Sequence, residues 1–476
     1  MIPHPRRCID PLDPAQAETV YVAALRILEE TGIAVLCEES RNLLEAAGAR
    51  ARADRTLIAP ALVERAIAEA PRRFMLHARN PERSVELGAE ALLVSPGYGS
   101  PTVADASGKR REATLSDFDA FAALAGRSDC IDVTGGLLVE PLDVPAVLRP
   151  LEITRSLLLN SDKPFLGSVD GAEGARTSLE MARCVFGDIS TRAVMIGLVN
   201  VNSPLRLDGR MAAALLEYAR AGQAVLLTPG ILMGVTAPVT AAGAAAQALA
   251  ELLACVTLVQ AVRRGAPVII GTGGFGADLR TGGPGFGRPE NALGTLLGAQ
   301  LARRVGLPFR CSGAVTGSRL PDCRSGYERM MTAMAAWTAG VHLCLQGAGT
   351  LDCINSMSFE QFVIDTEIWS YLKRVASRTD VGEESLAVDL IASLPQDYLA
   401  SDHTLRHLAA EMAPAVLATP KPYEEWRAEG APDVVSLAAR RVAKADKDSD
   451  PVPMDDARRR TLDAWVKERR KALTDR

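Results

Sequence analysis

Over the first ~90 residues the apolar positions recur at helical spacing and are broken by turn-forming residues. Asp13, Pro14 and Gln16 open a segment that carries Tyr21, Leu25 and Leu28 on one face and stops at Gly32. That pattern predicts a capped amphipathic helix. Two further helices are predicted, over 39–47 up to Gly48 and over 60–70 up to Pro71. Residues 1–90 thus read as an N-terminal helical cap or oligomerisation layer. Beyond them the pattern changes. Apolar runs too short for a helix recur at 92–95, 131–139, 163–169, 194–201, 224–227, 267–271, 308–315 and 341–345. Runs that do not alternate imply strands covered on both faces. Helical periods separate them, over 116–125, 150–160, 172–186, 209–221, 240–264, 289–305 and 326–339. Strand–helix alternation implies βαβ units in an α/β protein. The expected fold is a (β/α)8 TIM-type barrel over 91–400, and the alternative is an open doubly wound sheet. Residues 401–476 read as a C-terminal helical extension. Within it 440–450 shows no apolar stripe, and 458–476 looks like an exposed helix anchored by Leu462 and Trp465. The extension is expected to be peripheral and frayed.

Composition narrows the class. Apolar residues make up 48% and charged residues 23%, a globular balance. The net charge of −5 argues against nucleic acid or an anionic membrane as partner. No apolar run approaches the ~18 residues of a membrane span. The N-terminal MIPHPRRCID lacks the apolar core of a signal peptide. The nine cysteines include no CxxC pair, which points to a reducing, cytoplasmic compartment. With only 10 Phe, 7 Tyr and 4 Trp, an aromatic residue near a pocket stands out.

In a barrel of this kind the loops at the carboxyl ends of the strands carry function. Position therefore nominates Tyr98, between two glycines, as a wall of a ligand site or as a plug for the mouth. Asn200 and Asn202 share a strand face, or else form the turn before Pro204. Thr228 and Gln346 follow the fifth and eighth runs. Glu251, a lone carboxylate in an Ala-rich helix, is either solvent-facing or a buried functional acid. Glu360 and Asp365 follow the last run, where helix-dipole complementarity is the plainer reading. The GTGGFG at 271–276 satisfies GxGxxG but precedes a glycine-rich loop, so no dinucleotide site is expected; the loop up to Pro289 reads as a mobile lid. His403 and His407 are spaced for a shared helix face, without an evident third ligand. Cys311, Cys323, Cys344 and Cys353 lack zinc spacing, so no metal is expected.

Several stretches carry a resemblance. They are ALRILEETGIAV at 24–35, FMLHARNPERSVELG at 74–88, DASGKRREATLSD at 105–117, GVTAPVTAAGAAAQALAELL at 234–253, residues 318–340, SFEQFVIDTEI at 358–368, and 403–426 ending in YEEW. Along nearly its whole length the chain resembles the trimethylamine:corrinoid methyltransferase family. The resemblance implies a (β/α)8 barrel that moves a methyl group from a methylated amine to the Co(I) corrinoid of a small corrinoid-binding partner protein, with no cofactor bound to this chain. A homo-oligomer is also expected. Founding members of the family use pyrrolysine. This chain has an ordinary residue at every position and looks like the non-pyrrolysine branch, which acts on quaternary amines such as glycine betaine. Many members carry a His where Gln346 aligns. A quaternary amine already has a neutral leaving group, so the chain need only hold the cation, expose one methyl in line and exclude water. Tyr98 with a carboxylate (Glu251 or Glu360) would hold the cation, and Asn200, Asn202, Thr228 and Gln346 would serve a substrate carboxylate. No single residue is singled out as catalytic. Two other classes stay open. One is a barrel lyase or hydrolase using Glu140 and Glu251 as an acid–base pair; the other is a non-catalytic binding protein of the corrinoid pathway.

Overall fold

A computed structural model describes residues 1–412, 417, 421–447 and 452–475. Its centre is a curled sheet of seven parallel strands: β1 (Ala91–Val94), β2 (Phe165–Gly167), β3 (Met195–Val201), β4 (Ala224–Pro229), β5 (Val268–Gly271), β6 (Phe309–Ser312) and β7 (Leu343–Leu345). They pair in the order β2-β3-β4-β5-β6-β7-β1, and a short antiparallel strand, Ile2–Pro3, adds to β1. Side chains alternate as the pleat requires. Leu93, Leu166, Ile196, Leu198, Leu226, Ile269, Leu343 and Leu345 fill the interior. Leu92, Val94, Val199, Val225, Leu227, Ile270, Phe309 and Cys344 face the surrounding helices.

Two expectations are corrected here. Residues 131–139 form no strand, and the ladder does not close into an eight-stranded barrel. The segment crosses the gap between β1 and β2 irregularly. The Asp132 and Val133 N–H groups both donate to the Val94 carbonyl, at 2.8 and 3.2 Å, and Leu166 N–H donates to the Gly135 carbonyl at 2.8 Å. The local sequence explains the break. Gly135 has φ +100°, which ends an extended run. The Asp132 carboxylate takes the Val94 N–H at 2.9 Å, in place of a ladder bond. Lys163 then pins the segment from behind, its Nζ donating to the carbonyls of Ala125, Ser128 and Ile131 at 2.8, 2.6 and 2.7 Å.

The helix Ala241–Val262 is buried on every side because it lies between the sheet and the helices Pro14–Glu30, Glu38–Ala47 and Pro60–Glu69. Its length and mean hydropathy of 1.7 would suit a membrane span, yet 89% of that stretch is buried within the fold, as in a core helix. Asp13 forms the expected capping box with Gln16. The frayed C-terminal helix is a third correction. Asp456–Thr474 packs on Arg149–Asn160 and Gly171–Phe186 through Leu462, Val466 and Leu473, all buried, and Arg470 pairs with Glu152 at 2.5 Å. Its stripe is simply sparse. Val434–Lys447 lies along the helix Phe359–Ala376. The last residues of the 440–450 stretch, 448–450, lie outside the described residues. A small four-stranded sheet absent from the sequence reading joins the loops after β1 and β7: Thr102–Ala104, Arg110–Glu112, Thr350–Leu351 and Ser356–Met357. The loop after β5 holds a hairpin, Ala277–Asp278 with Gly283–Pro284, and Asn291 ties its base to Gly276 at 2.6 Å.

Candidate active site

The carboxyl ends of the strands converge on a residue the sequence reading passed over. Arg310 is the second residue of β6, whose alternation sends Phe309 and Cys311 outward and Arg310 and Ser312 toward the axis. Gly271 on β5 makes room: a Cβ there would sit 3.1 Å from Arg310 Cδ. Arg310 is 2% exposed. Its Nη1 donates to the Thr272 carbonyl at 3.1 Å and reaches Thr228 Oγ1 at 3.4 Å, and its Nη2 donates to Gln346 Oε1 at 2.9 Å. Ser312 Oγ donates to the same Gln346 oxygen. Nε has no partner. Among the described residues no carboxylate forms a salt bridge with this guanidinium. Burial lowers its pKa to about 10, so it still carries its charge at neutral pH. A buried charge without a counter-ion is costly, and such groups gather at functional sites. Gln346 adopts φ +66°, sparse for a non-glycine residue, and presents its amide oxygen to Arg310.

Tyr98 stands beside this cup. Its ring packs against the interior cluster, and Gly136 clears space for it, since a Cβ there would lie 3.0 Å from Tyr98 Cε2. Burial pushes its hydroxyl up to about 12, against the opposing pull of Arg310. Tyr98 also lines a cavity of about 580 Å³ with Leu166, Ser168, Ile153, Asn200, Glu140 and Asp170. The two carboxylates there are paired, Glu140 with Arg149 at 2.6 Å and Asp170 with Arg210 at 3.1 Å. The structure therefore brings Thr228 and Gln346 to Arg310, keeps Tyr98 within electrostatic reach of the guanidinium, and places Tyr98 and Asn200 together in a cavity whose lining does not include Arg310.

The other nominated residues lie elsewhere. Asn202 is exposed, and its backbone closes a turn with Arg206 through bonds of 2.8 and 2.9 Å. Glu251 is fully buried outside the sheet and accepts from Ser203 Oγ at 2.6 Å, Leu205 N–H at 2.8 Å and Gln247 Nε2 at 2.9 Å. It anchors the turn after β3 and does not face Glu140 as an acid–base partner. Burial raises its pKa against those hydrogen bonds. Glu360 accepts from Ser358 Oγ at 2.9 Å in the first turn of its helix. Asp365 is buried in an ion pair with Arg329 at 2.8 Å, and burial raises its pKa to about 6. His403 and His407 lie with ring centroids 4.5 Å apart. Among the described residues no group of three His, Cys, Asp or Glu is placed to hold a metal. The 271–276 glycines open no helix; the next begins at Pro289.

A curled parallel sheet with a polar cup at its carboxyl rim is the architecture of a small-molecule enzyme. Comparison with known proteins narrows this. The family model described as trimethylamine methyltransferase matches residues 1–474. The glycine betaine methyltransferase of Desulfitobacterium hafniense (strain Y51) is 36% identical over 419 residues, 87% of this chain and 88% of that protein. The L-carnitine:corrinoid methyltransferase of Eubacterium limosum is 27% identical over 384 residues, 77% of each chain. Among solved structures, the monomethylamine methyltransferase of Methanosarcina barkeri matches with a TM-score of 0.53 at 13% identity, over 98% of this chain and 88% of that one, a likeness of fold. The chain belongs to the trimethylamine methyltransferase family.

Proposed function

We propose that the protein transfers a methyl group from a quaternary amine that also bears a carboxylate, a betaine, to the cobalt of a corrinoid carried by a separate protein. The observation that carries this reading is Arg310, a buried guanidinium at the mouth of the sheet that has no carboxylate partner among the described residues. A ligand carboxylate would supply the missing counter-ion and accept from Nε and an Nη in the forked geometry arginine favours. The ammonium end would then lie against the Tyr98 ring, where cation–π attraction adds roughly 0.5–2 kcal/mol. Names of relatives agree with both halves: one acts on glycine betaine and another on L-carnitine with a corrinoid.

The chain's own part is to bind, orient and exclude water. When bound at the mouth, a Co(I) corrinoid supplies the nucleophile. The C–N bond breaks with its electron pair leaving on nitrogen, as a neutral tertiary amine, so no side chain need deliver a proton. A cavity of about 580 Å³ suits a small amine, with the corrinoid approaching from outside. The nine cysteines are all unpaired, in keeping with a reducing compartment. The test is methyl transfer to a reduced corrinoid protein from glycine betaine, carnitine, choline and trimethylamine. Carboxylate-bearing donors should react at least roughly tenfold faster, one decade per ~1.4 kcal/mol. Trimethylamine demethylated at a comparable rate while the betaines stay inert would overturn the reading.

A further inference from the structure

The turn after β7, residues 346–349, is anchored from two sides. On one side it bonds the segment that follows β1. Gln346 N–H donates to the Pro96 carbonyl at 2.9 Å, Gly347 N–H to the Ser95 carbonyl at 2.8 Å, and Gly97 N–H to the Ala348 carbonyl at 2.9 Å. On the other side lies one face of the helix Phe359–Ala376. Gln361, Asp365 and Trp369 stand at i, i+4 and i+8 along that face, and all three are buried. Polar side chains buried in a row need partners, and these spend theirs on the turn. Trp369 Nε1–H donates to the Gly347 carbonyl at 2.7 Å. Asp365 Oδ2 accepts from Gly349 N–H at 2.7 Å and from Arg329 Nη1 at 2.8 Å, while Gln361 Nε2 donates to Asp365 Oδ1 at 2.9 Å. Arg329 Nη1 also donates to the carbonyl of Ala314, in the loop after β6. One ion pair therefore joins the loop that follows Arg310 and Ser312 to the turn that carries Gln346.

The backbone of the turn gives this anchoring a purpose. Gln346 has φ +66°, and such a residue persists only where its surroundings over-determine it. Glycine would adopt this φ at no steric cost, so what glutamine adds at 346 is its amide, whose oxygen accepts from Arg310 Nη2 and Ser312 Oγ. The neighbouring Gly347 has no room to spare: a Cβ there would lie 2.8 Å from Val94 Cγ1 and 3.3 Å from Trp369 Cζ2. Well-packed apolar side chains would hold two helices together as well as a buried Arg–Asp pair does. What the pair adds is direction, in donors and acceptors aimed at two loops of the site. We propose that Trp369, and Asp365 with its partner Arg329, are positioning residues that fix this turn so that the Gln346 oxygen meets Arg310 and holds the guanidinium ready for a substrate carboxylate. The inference rests on the assignment of that carboxylate to Arg310 made above.

The experiment is a double-mutant cycle on the full chain. Glycine betaine affinity by calorimetry and melting temperature are read for the wild type, Trp369→Phe, Gln346→Ala and the two combined. Trp369→Phe removes the indole N–H and should weaken betaine binding roughly 3- to 10-fold, the effect of about one hydrogen bond. In the Gln346→Ala background the same change should leave affinity alone, while lowering the melting temperature as it does in the wild type. Asp365→Asn weakens both the Arg329 pair and the acceptor of Gly349 N–H, and should show the same pattern in the same cycle. An equal affinity loss in both backgrounds would overturn the proposal. So would a lowered melting temperature with wild-type affinity, which would leave Trp369 a packing residue. Where Trp369→Phe does not fold, a benzothiophene analogue in place of the Trp369 indole keeps the bicyclic shape and loses only the N–H, and the same outcomes decide. Hydrogen exchange without ligand separates this inference from the substrate assignment, since the Gln346 and Gly347 amides should exchange faster in Trp369→Phe. A wild type that binds no betaine, with that faster exchange in the variant, would sink the substrate assignment alone and still support the positioning of the turn. Unchanged exchange would overturn the positioning, whichever donor binds.

Discussion

Replacing Arg310 with Met should damage function and spare stability, an unusual combination for a buried residue. The unbranched stem is kept, while the guanidinium with its charge and five donors is lost. Among the described residues of the free protein, the guanidinium is hydrogen-bonded by the Thr272 carbonyl, Thr228 Oγ1 and Gln346 Oε1. Losing a buried charge without a counter-ion stabilises the free protein, and stranding the Thr272 carbonyl costs about 1–3 kcal/mol, so the two offset and the melting temperature of the free enzyme should change little. In the betaine complex the same change strands a carboxylate. Truncating one partner of a buried charged pair costs about 2–5 kcal/mol, a loss of roughly 30- to 3,000-fold in affinity at ~1.4 kcal/mol per decade. Differential scanning with and without glycine betaine reads both terms, since a ligand at ~100 times its Kd stabilises the native state by about 2.7 kcal/mol. The wild-type shift should vanish in Arg310→Met. A lower melting temperature with the betaine-induced shift retained would refute the reasoning and mark Arg310 as a structural pin.

Tyr98→Ala should weaken betaine binding roughly 2- to 30-fold and Tyr98→Phe far less, read by titration calorimetry; lost stability with intact affinity would make Tyr98 a plug for the mouth. Gly136→Ala places a Cβ 2.7 Å from Leu166 Cβ and 3.0 Å from Tyr98 Cε2, so it should shift the ring. The cost should be about 1–3 kcal/mol of stability by urea unfolding, together with weaker binding. Lys163 adds a pH signature. Burial lowers its pKa to about 8, below its value in the unfolded chain. The unfolded chain then holds more protons between about pH 8 and 10.4, so this contribution is full above the unfolded value and is lost as pH falls through about 8. Lys163→Met should abolish that slope between urea unfolding at pH 8 and at pH 10, and at pH 7 it should cost roughly 2–4 kcal/mol through the stranded carbonyls.

Most of the fold was legible because burial leaves a periodic mark. Seven of the eight predicted strands form, and the one that fails contains Gly135 and an aspartate that competes for backbone donors. The C-terminal helix hid its contact because Leu462, Val466 and Leu473 are widely spaced among charges. The candidate site was half legible. Position alone led to Tyr98, Thr228 and Gln346, since strand ends can be read from hydrophobic runs. Arg310 was overlooked although its signal was present: a single charge inside the apolar run 308–315, on the face that alternation turns inward. Glu251 gave the same kind of signal, yet the structure commits it to the Ser203–Leu205 turn. A sequence shows that a charge is buried but not what it faces, because the partner comes from a distant segment.

The sign of Arg310 also constrains which amines the site accepts. A trimethylammonium group placed near Tyr98 lies on the order of 6.5 Å from the guanidinium if a carboxylate fits between them. At an effective dielectric of about 20, the cation–cation repulsion at that distance is about 2.5 kcal/mol. A betaine offsets this with its own carboxylate, which at about 4 Å from the guanidinium gains about 4 kcal/mol on the same scale. Choline and protonated trimethylamine carry no such group and meet the repulsion alone. If Arg310 holds the carboxylate as proposed, the site selects the zwitterion twice, by attracting its carboxylate and by opposing a bare cation. It follows that Arg310→Met should not merely lose betaine but should gain choline or tetramethylammonium, by roughly 10- to 60-fold in affinity if ~2.5 kcal/mol of repulsion is relieved. Competition calorimetry with tetramethylammonium reads this directly. Unchanged affinity for that cation would mean that Arg310 and the ammonium site are electrostatically separate, and the partner of the substrate carboxylate would have to be sought among the residues that line the cavity.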